Sequence, residues 1–474
     1  MTPSPSRLRP MRAPLLLALA VLLSGCASLS PQGGALPQTP IPAAWSGSAT
    51  APAAATSLAH WWQRFDDPLL GSLVTQSLQA NTTVRSAQAA LQQARALRDV
   101  SSANLLPKLN AAGSAQRSKS GDNAAGNLFK AGFDASWEPD VFGGRRSALS
   151  ATEADAQAAQ ASLADTQVSI AAEVAVTYIE LRGLQARLAI ARNNLASQNE
   201  TQQITDWRVQ AGLASSLDLE QARAASAQTS AQIPALQTSA AQAQYSLAVL
   251  TGRAPGALQA LLTTTGPVPQ APGELALSIP AETLRQRPDV RAAEHRISAA
   301  LARVSQADAA RYPGFQISGS LGLSALSLAS LTTAGTVVNA LLASISVPLF
   351  DGGAARAQVR AQEAALEQTR VSYQATVLTA LKDVENALVS LQGNRERLVR
   401  LQAAADAATN ADLLARQRYA SGLIDFRSVL ETQRTLLSTQ DSVESTRASL
   451  SADHVRLYKA LGGGWTPEPG TATR

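Results

Sequence analysis

The sequence predicts a mainly helical chain that also carries membrane-spanning β-strands and consists of two copies of one structural unit. Three patterns lead to this fold class. Short motifs recur after about two hundred residues, apolar residues recur every seven positions in the later part of each copy, and stretches of two-residue alternation precede those heptads. Aromatic residues make up only 4 % of the chain. So sparse an aromatic content, with abundant alanine and glutamine, favours long, closely packed helices over one globular core.

The first residues, 1–25, predict a bacterial export signal. A basic stretch from Arg7 to Arg12 precedes an apolar run from Ala13 to Leu23, which is too short to span a bilayer as a mature helix. The following Leu-Ser-Gly-Cys ends at Cys26, the only cysteine of the chain, and resembles a lipobox. That resemblance implies that Cys26 receives N-palmitoyl and S-diacylglycerol groups and becomes the mature N-terminus, and Ala27 fits sorting to the outer membrane. The alternative is an ordinary signal peptide with an incidental cysteine.

Charge and residue content argue against several classes of function. Removal of the signal takes away three arginines and no acid, so 40 basic residues fall to 37 against 35 acidic ones, a balance too small to predict a nucleic-acid partner. His60, His295 and His454 are scattered without the spacing of metal ligands, and no second cysteine is present. No arrangement typical of a catalytic centre or a phosphate loop is found. The sequence therefore predicts no enzyme, no metal and no cofactor.

The internal repeat sets the organisation of the chain. Val84-Arg85 recurs as Val290-Arg291, 206 residues later, and the segment from Arg208 to Leu213 recurs as Arg418 to Leu423, 210 residues later. We therefore assign, in chain order, a signal peptide (1–25), a lipidated tether rich in proline and small residues (26–58), a first repeat (59–251), a Pro- and Gly-rich linker (252–280), a second repeat (281–462) and a C-terminal tail (463–474).

Heptad spacing within each copy predicts a long antiparallel helical hairpin. Val174, Leu181 and Leu188 lie seven residues apart, and each is matched by an apolar residue 210 positions later. A helix of about sixty residues would be about 90 Å long, which is too long to be buried inside a globule. Gly212 and Gly422 are typical helix-terminating glycines. We predict the two hairpins over 145–250 and 354–461.

Two-residue alternation before each hairpin predicts four strands, two over about 109–138 and two over about 314–349. Phe129, Phe133 and Trp137, for example, lie on one side of such a pattern. Four strands cannot close a barrel, and open strand edges are not tolerated in lipid. Two chains would give eight strands around an interior filled by side chains, whereas three chains give twelve strands and leave a lumen. A conduit therefore requires a trimer.

Four motifs carry a resemblance to a known family: Pro139 to Gly144 (Pro-Asp-Val-Phe-Gly-Gly), Pro348 to Gly353 (Pro-Leu-Phe-Asp-Gly-Gly), Arg287 to Glu294, and Leu457 to Trp465. Together with the lipobox and the twofold repeat they resemble the outer membrane factor family of the TolC and OprM kind, and within it the NodT-type efflux lipoproteins. The resemblance implies a homotrimer with a 12-stranded β-barrel continuous with a 12-helix α-barrel. The turns from membrane strand to long helix then fall at Pro139, Gly143, Gly144, Pro348, Gly352 and Gly353.

The same resemblance implies an exit duct in the outer membrane, lipid-anchored, with its helices in the periplasm, that serves a tripartite RND-type efflux system. Its partners would be a membrane-fusion adaptor and an inner-membrane pump, which supplies the energy. The hairpin tips that contact the adaptor would be Gly212, Leu213, Ser215, Asp218, Gly422 and Leu423. The candidates for a periplasmic gate are Tyr419, Asp425, Arg427 and Glu431. Around a threefold axis the acidic residues would repel one another unless Arg427 pairs with them, and the alternative is that all are solvated charges at a helix end.

Two other functions fit parts of this pattern. A type I protein-secretion channel of the outer membrane would share the fold. A periplasmic coiled-coil scaffold lipoprotein would need the long helices but not the amphipathic strands.

The lipobox assignment predicts the result of Cys26→Ser. Because serine offers no thiol for the diacylglycerol, this variant should lose acyl labelling completely while still assembling like the unsubstituted protein. Metabolic labelling with a radioactive fatty acid, followed by gel electrophoresis, measures the loss. Unchanged labelling would contradict the assignment.

Overall fold

The computed structural model describes residues 58–122, 124–271, 281–333 and 335–465. Cys26, with the predicted signal and most of the tether, lies outside these residues. The helices are α1 (Pro68–Ala80), α2 (Thr82–Ala103), α3 (Gly144–Gln210), α4 (Ser216–Leu250), the short α5 (Gln259–Leu262), α6 (Pro288–Ala309), α7 (Ala354–Ala420) and α8 (Phe426–Ala460), with short 3₁₀ helices at Trp61–Phe65 and Ala281–Gln286. The strands are β1 (Lys108–Ser118), β2 (Gly126–Trp137), β3 (Gly314–Ala325) and β4 (Val337–Ser346).

The four strands form one antiparallel sheet in the order β1-β2-β3-β4. The pairing of β2 with β3 joins the two repeats, since Phe133 lies opposite Leu321. Within the described residues β1 and β4 each have one edge without a partner strand. Leu341 and Ile345 of β4 are 82 % and 65 % exposed. The sheet of a single chain therefore ends at two open edges and presents uncovered apolar side chains.

The register places apolar and polar residues of the first three strands on opposite faces of the sheet. Phe133 pairs with Ala111 on one side and with Leu321 on the other, whereas Asp134 pairs with Asn110 and Ser320. Successive side chains of a strand point to opposite faces, so these two rows lie on different faces. This is the pattern of a strand that meets lipid on one side and a polar interior on the other. In β4 the faces are mixed, because Asn339 lies opposite Leu321 and Leu342 opposite Ser318.

Glycine permits the close contact between β2 and β3. Gly132 and Gly322 are paired in register, and a Cβ atom built on Gly132 would lie 2.7 Å from the Cα atom of Gly322. No side chain fits at that distance, so this point of the sheet requires glycine on both strands.

The long helices α3 and α7 each contain 67 residues and are therefore about 100 Å long. Each is followed after a short turn by a 35-residue helix, α4 or α8, which packs back against it. Over the described part of the chain, no helix combines the length and the apolar character needed to cross a membrane.

Two apolar clusters hold these helices together. The first packs the 3₁₀ helix at Trp61–Phe65 and α1 against α3 and the end of α8, and the Trp61 and Tyr458 rings stack with centroids 5.4 Å apart. The second packs α6 against α7 around Val377 and Val384. Both clusters contain predicted heptad residues.

The predicted heptad seam is only partly an apolar core. Val174 and Leu181 of α3 are fully buried, but Leu188 and Leu195, one and two heptads further along, are only half-buried in the single chain. Most positions of this later part that are buried in the single chain are polar, such as Asn194 and Thr205, and Ala191 is apolar.

A buried polar cluster attaches Asp67, before α1, and Thr264, in the linker, to α3. The Tyr178 hydroxyl donates to Asp67 Oδ2 at 2.9 Å and accepts from Arg182 Nε at 3.0 Å. Arg182 also donates to Gln185 and to the backbone oxygen of Thr264, at 2.8 Å and 2.6 Å. Burial raises the pKa of Tyr178 to about 12, so the hydroxyl keeps its proton at neutral pH.

This cluster predicts a clear difference between two tyrosine variants. Tyr178→Phe removes both hydrogen bonds and leaves the buried Arg182 with one partner fewer, which should lower the free energy of unfolding by about 1–3 kcal/mol. Tyr373→Phe is the control, because the hydroxyl of Tyr373 makes one long contact, 3.4 Å, to Glu294. Guanidinium titration in detergent measures both. Equal losses of stability in the two variants would contradict the role given to Tyr178.

Candidate functional site

The two hairpin tips have the same backbone structure. Gly212 and Gly422 both have φ 72°, the left-handed conformation that favours glycine after a helix. The next N–H reaches back to close the turn, from Leu213 to the Arg208 oxygen at 2.7 Å and from Leu423 to the Arg418 oxygen at 2.9 Å. Leu213 and Leu423 are 72 % and 74 % exposed. Each tip therefore holds one uncovered leucine on a rigid turn.

At the first tip, Ser215 and Asp218 form a reciprocal helix cap. The Asp218 N–H donates to the Ser215 hydroxyl oxygen and the Ser215 N–H donates to the Asp218 carboxylate, both at 3.1 Å. These bonds satisfy N–H groups that the start of α4 would otherwise leave without partners. Both residues thus have a local structural role, and their predicted contact with an adaptor stays a prediction.

At the second tip, Asp425 caps α8. Its carboxylate accepts hydrogen bonds from the hydroxyl and the backbone N–H of Ser428, the latter at 2.9 Å. These two bonds hold the pKa of Asp425 below its usual value, so it stays charged at neutral pH. Arg427 and Glu431 follow on the exposed surface of α8. Among the described residues no ion pair joins Arg427 to either acid, and whether these charges form a gate stays a prediction.

Arg208 of the first hairpin contacts Tyr419 of the second. Its guanidinium lies 4.5 Å from the centroid of the Tyr419 ring and donates to the Tyr419 backbone oxygen at 3.2 Å. The Tyr419 ring also contacts Phe426, and the two ring centroids lie 5.4 Å apart. The structure thus places the predicted gate residue Tyr419 in the one cation–π contact between the two tips that the described residues contain.

Sequence analysis missed Arg208, although the repeat marks its position. Arg208 and Arg418 are equivalent residues of the two copies. Arg418, however, is exposed, and in the described part of the chain its guanidinium has no hydrogen bond or ion pair. The motif indicates that an arginine precedes each tip, but only the packing of the hairpins determines which one reaches the neighbouring tip.

The segments predicted as turns from strand to long helix contain glycines with positive φ and an aspartate that caps the helix. After Pro139, Gly143 has φ 78° and Asp140 accepts the N–H groups of Arg145 and Arg146. The second copy repeats this arrangement after Pro348. There Gly352 and Gly353 have φ 64° and 88°, and Asp351 accepts the N–H groups of Gly353 and Ala355 at 2.8 Å and 2.9 Å. Gly144 is the first residue of α3. These motifs are therefore structural corners.

The Arg-Pro-Asp motif at the start of α6 holds this helix against the end of α8 through hydrogen bonds from Arg287. Arg287 donates to both carboxylate oxygens of Asp289, at 3.0 Å and 2.7 Å, and to the backbone oxygen of Ala460 at 2.6 Å. Gly462 lies so close that a Cβ atom there would be 3.1 Å from Arg287 Cγ. The motif therefore attaches α6 to the end of α8.

Metal chemistry has no candidate site in the described residues, where no three His, Cys, Asp or Glu side chains lie together as ligands. His60, His295 and His454 lie before the first helix, in α6 and in α8. The imidazole of His454 bonds to the backbone oxygen of Leu450 at 2.9 Å.

An antiparallel sheet with an exposed apolar face, continuous with helical hairpins of about 100 Å, defines the class of outer-membrane channel proteins. The sequence profile of the outer membrane efflux protein family matches residues 73–253 and 279–463. The chain belongs to this family. It is the outer-membrane component of an efflux system, and its resemblance to the TolC and OprM kind is confirmed.

Individual relatives match over nearly the whole chain. The pyoverdine export outer membrane protein OpmQ of Pseudomonas aeruginosa is 32 % identical, over 95 % of this chain and 96 % of its own length. Nodulation protein T of Rhizobium leguminosarum bv. viciae is 30 % identical, over 94 % of this chain and 92 % of its own length. The solved structure of the outer-membrane channel OprN superposes with a TM-score of 0.86 and 36 % identity, covering 91 % of this chain and 98 % of that one.

Arg208 and Arg418 are equivalent in the two copies, but we expect their substitution to affect the open probability of the channel differently. Arg208→Gln removes the cation–π contact with Tyr419, which is worth on the order of 1 kcal/mol, and should raise the open probability of single channels roughly twofold to tenfold. Arg418→Gln changes the same charge in the other copy and should leave the open probability unchanged, because its guanidinium has no partner. Recordings in planar bilayers measure both variants, and equal behaviour would refute the proposed role of Arg208.

Proposed function

We propose that three copies of this chain form a passive exit channel that is gated by the helical tips of the second hairpin. The observation that carries the proposal is the four-stranded sheet, which has an exposed apolar face and, within the described residues, two edges without partners. In lipid each open edge must pair with another strand. Twelve strands from three chains satisfy every edge and leave a lumen, whereas eight do not leave one.

The sheet also distinguishes this proposal from a periplasmic scaffold. A coiled-coil scaffold lipoprotein would have no use for strands whose apolar side chains are left uncovered, such as Leu341 at 82 % exposure. The family and its relatives support efflux over type I protein secretion, because the family is named for efflux and the relatives include a pyoverdine export protein and a toluene efflux pump protein.

The helical tips are the proposed contact with the rest of the system. Leu213 and Leu423 are exposed apolar side chains on rigid turns, which fits docking of a membrane-fusion adaptor. An inner-membrane RND-type pump supplies the energy in this proposal, which is supported by relatives named as outer-membrane proteins of efflux pumps. Lipidation at Cys26 anchors the channel to the outer membrane.

The second tip provides the gate in this proposal. Tyr419 is held by Arg208 of the neighbouring hairpin, and the exposed charges of Asp425, Arg427 and Glu431 follow it. Repeated around a threefold axis, these charges form rings that control cation entry. Movement of the second hairpin away from the axis then opens the channel.

Charge removal at the second tip tests the gate. The variant Asp425→Asn, Arg427→Gln, Glu431→Gln keeps an oxygen acceptor that caps α8, so the helix start is preserved while the three charges are lost. We expect its single-channel conductance in planar bilayers to rise about twofold or more. The reason is that the charged side chains, which would pair with one another or bind counter-ions around the proposed threefold axis, are then absent. Asp218→Asn, which removes a charge from the first tip without removing its cap, should leave the conductance unchanged.

Two results would contradict the proposal. Absence of any conductance from the purified protein would refute the channel. Conductance of the triple variant identical to that of the unsubstituted protein would identify the three charges as solvated surface and refute the gate.

A further inference from the structure

The apolar face of the sheet carries a single charged residue in its four strands, Arg117 of β1. Arg117 pairs with Asn127 of β2, and both alternate in step with Phe133, so Arg117 lies on the same face as the Phe133 ring. The other charged residues of the strands lie on the opposite face and are Lys108, Lys130 and Asp134. A charge that faces lipid is costly unless it lies near the polar boundary of the membrane. The position of Arg117 along the strand therefore decides what it can contact.

Arg117 lies at the end of the sheet that is farthest from the helices. β1 begins at Lys108, just after α2, and ends at Ser118. In the proposed channel the helices lie in the periplasm, so this far end faces the outside of the cell. Arg117 is four residues beyond Gly113, the middle residue of β1, which is about 14 Å along the strand. Half of a bilayer's hydrocarbon core is about 15 Å thick. Arg117 therefore reaches the head groups of the outer leaflet.

Arg117 and the nearby Lys119 have no protein partner within the described residues. Neither side chain forms a hydrogen bond or an ion pair there, and both residues are exposed. Lys119 follows Arg117 by two residues, about 7 Å in an extended chain. In the described part of the turn between β1 and β2 the single acid is Asp122, which is also exposed. The outer end of β1 thus offers two free cations, which suits an anion with more than one charged group.

An apolar groove of about 770 Å³ crosses the sheet between these cations and the helices. Small residues line part of it, among them Gly113 and Ala131, and the larger side chains of Phe133, Leu321 and Leu323 line the rest. These five residues belong to rows that alternate in step on one face, so the groove opens on the apolar side of the sheet. No charged side chain lines it. We call it the sheet groove.

Free cations next to an apolar groove match the chemistry of a lipid whose head group carries phosphate. A guanidinium donates two parallel, charge-assisted hydrogen bonds to a phosphate group. The acyl chains of such a lipid extend from the head group towards the middle of the membrane, which is the direction from Arg117 to the sheet groove. Within the groove they bury more apolar surface than they would on a flat strand surface. Because the cations lie at the outer end, the lipid belongs to the outer leaflet, where a phosphorylated glycolipid supplies the phosphate groups.

We propose that Arg117, Lys119 and the sheet groove form a binding site for a phosphorylated glycolipid of the outer leaflet. Arg117 and Lys119 bind the phosphate groups, and an acyl chain occupies the groove. The inference rests on the proposed membrane channel, because it requires the sheet to span the outer membrane with its apolar face towards lipid.

Two glutamine variants on opposite faces of the sheet test the contact with the head group. Lipid A is added to the delipidated, detergent-purified protein, and native mass spectrometry measures the fraction of protein that carries it. We expect Arg117→Gln to bind lipid A about tenfold more weakly, because a charge-assisted hydrogen bond to phosphate is lost. Lys130→Gln removes the same charge from the opposite face and should bind like the unsubstituted protein. Dephosphorylated lipid A should bind to the unsubstituted protein about tenfold more weakly than lipid A.

Two leucine variants of β2 test the sheet groove. Ala131→Leu places a larger side chain in the groove and should weaken binding of lipid A about fivefold, because the acyl chain then buries less apolar surface. The matched control is Ala135→Leu, which adds the same side chain to the same face of the same strand, four residues nearer the helices and outside the groove. It should leave binding unchanged. Circular dichroism confirms that all variants are folded.

Three results would overturn the inference. They are binding of lipid A by Arg117→Gln as tight as by the unsubstituted protein, an equal loss in Lys130→Gln, and binding of phosphatidylglycerol as tight as that of lipid A. Lipid binding does not depend on conductance, so the outcomes separate this inference from the proposed function. The expected binding pattern in a protein that does not conduct would support the lipid site and refute the channel. Conductance together with equal binding by all variants would overturn the lipid site alone.

Discussion

Backbone hydrogen bonding at the edges of a four-stranded sheet is the constraint on which the rest of this molecule depends. Each chain leaves the outer edges of β1 and β4 without partners among its described strands, and no water is available in a bilayer to satisfy them. In the proposed trimer, strands of the other chains pair with these edges. The helices that follow the sheet after the glycine turns would then lie side by side around one axis.

The contacts between helices are graded along their length. In the first apolar cluster, around the middle of α3, tyrosine, tryptophan and aliphatic side chains exclude water. Towards the tips, side-chain hydrogen bonds and exposed charges replace them. Because polar contacts stabilise less than apolar ones when water can compete, we expect stability to fall from this cluster towards the tips. Such a distribution fits the proposed gate at the tips.

Periodic features of this fold were predictable from the sequence, whereas contacts across the repeat were not. The strands, the hairpins and the glycine corners depend on local patterns such as alternation around Phe133 and the position of Gly212. The Arg208–Tyr419 contact joins residues 211 positions apart and depends on how the hairpins pack. Likewise Leu188 fits a heptad but is only half-buried in the single chain, and α3 contacts α8 nearby through the Asn194 side chain. Asp425, which was predicted as a gate residue because of its charge, also caps the start of α8.

The pairing of β2 with β3 has a consequence for biogenesis. Phe129 lies opposite Ala325, so the central pair of strands joins segments almost two hundred residues apart. Secretion delivers the chain from its N-terminus, and β2 therefore reaches the periplasm long before its partner has emerged. During that interval β2 has only β1 beside it, and its edge towards β3 stays open and prone to aggregate. The first half of this protein therefore carries an exposed strand edge until the second half arrives.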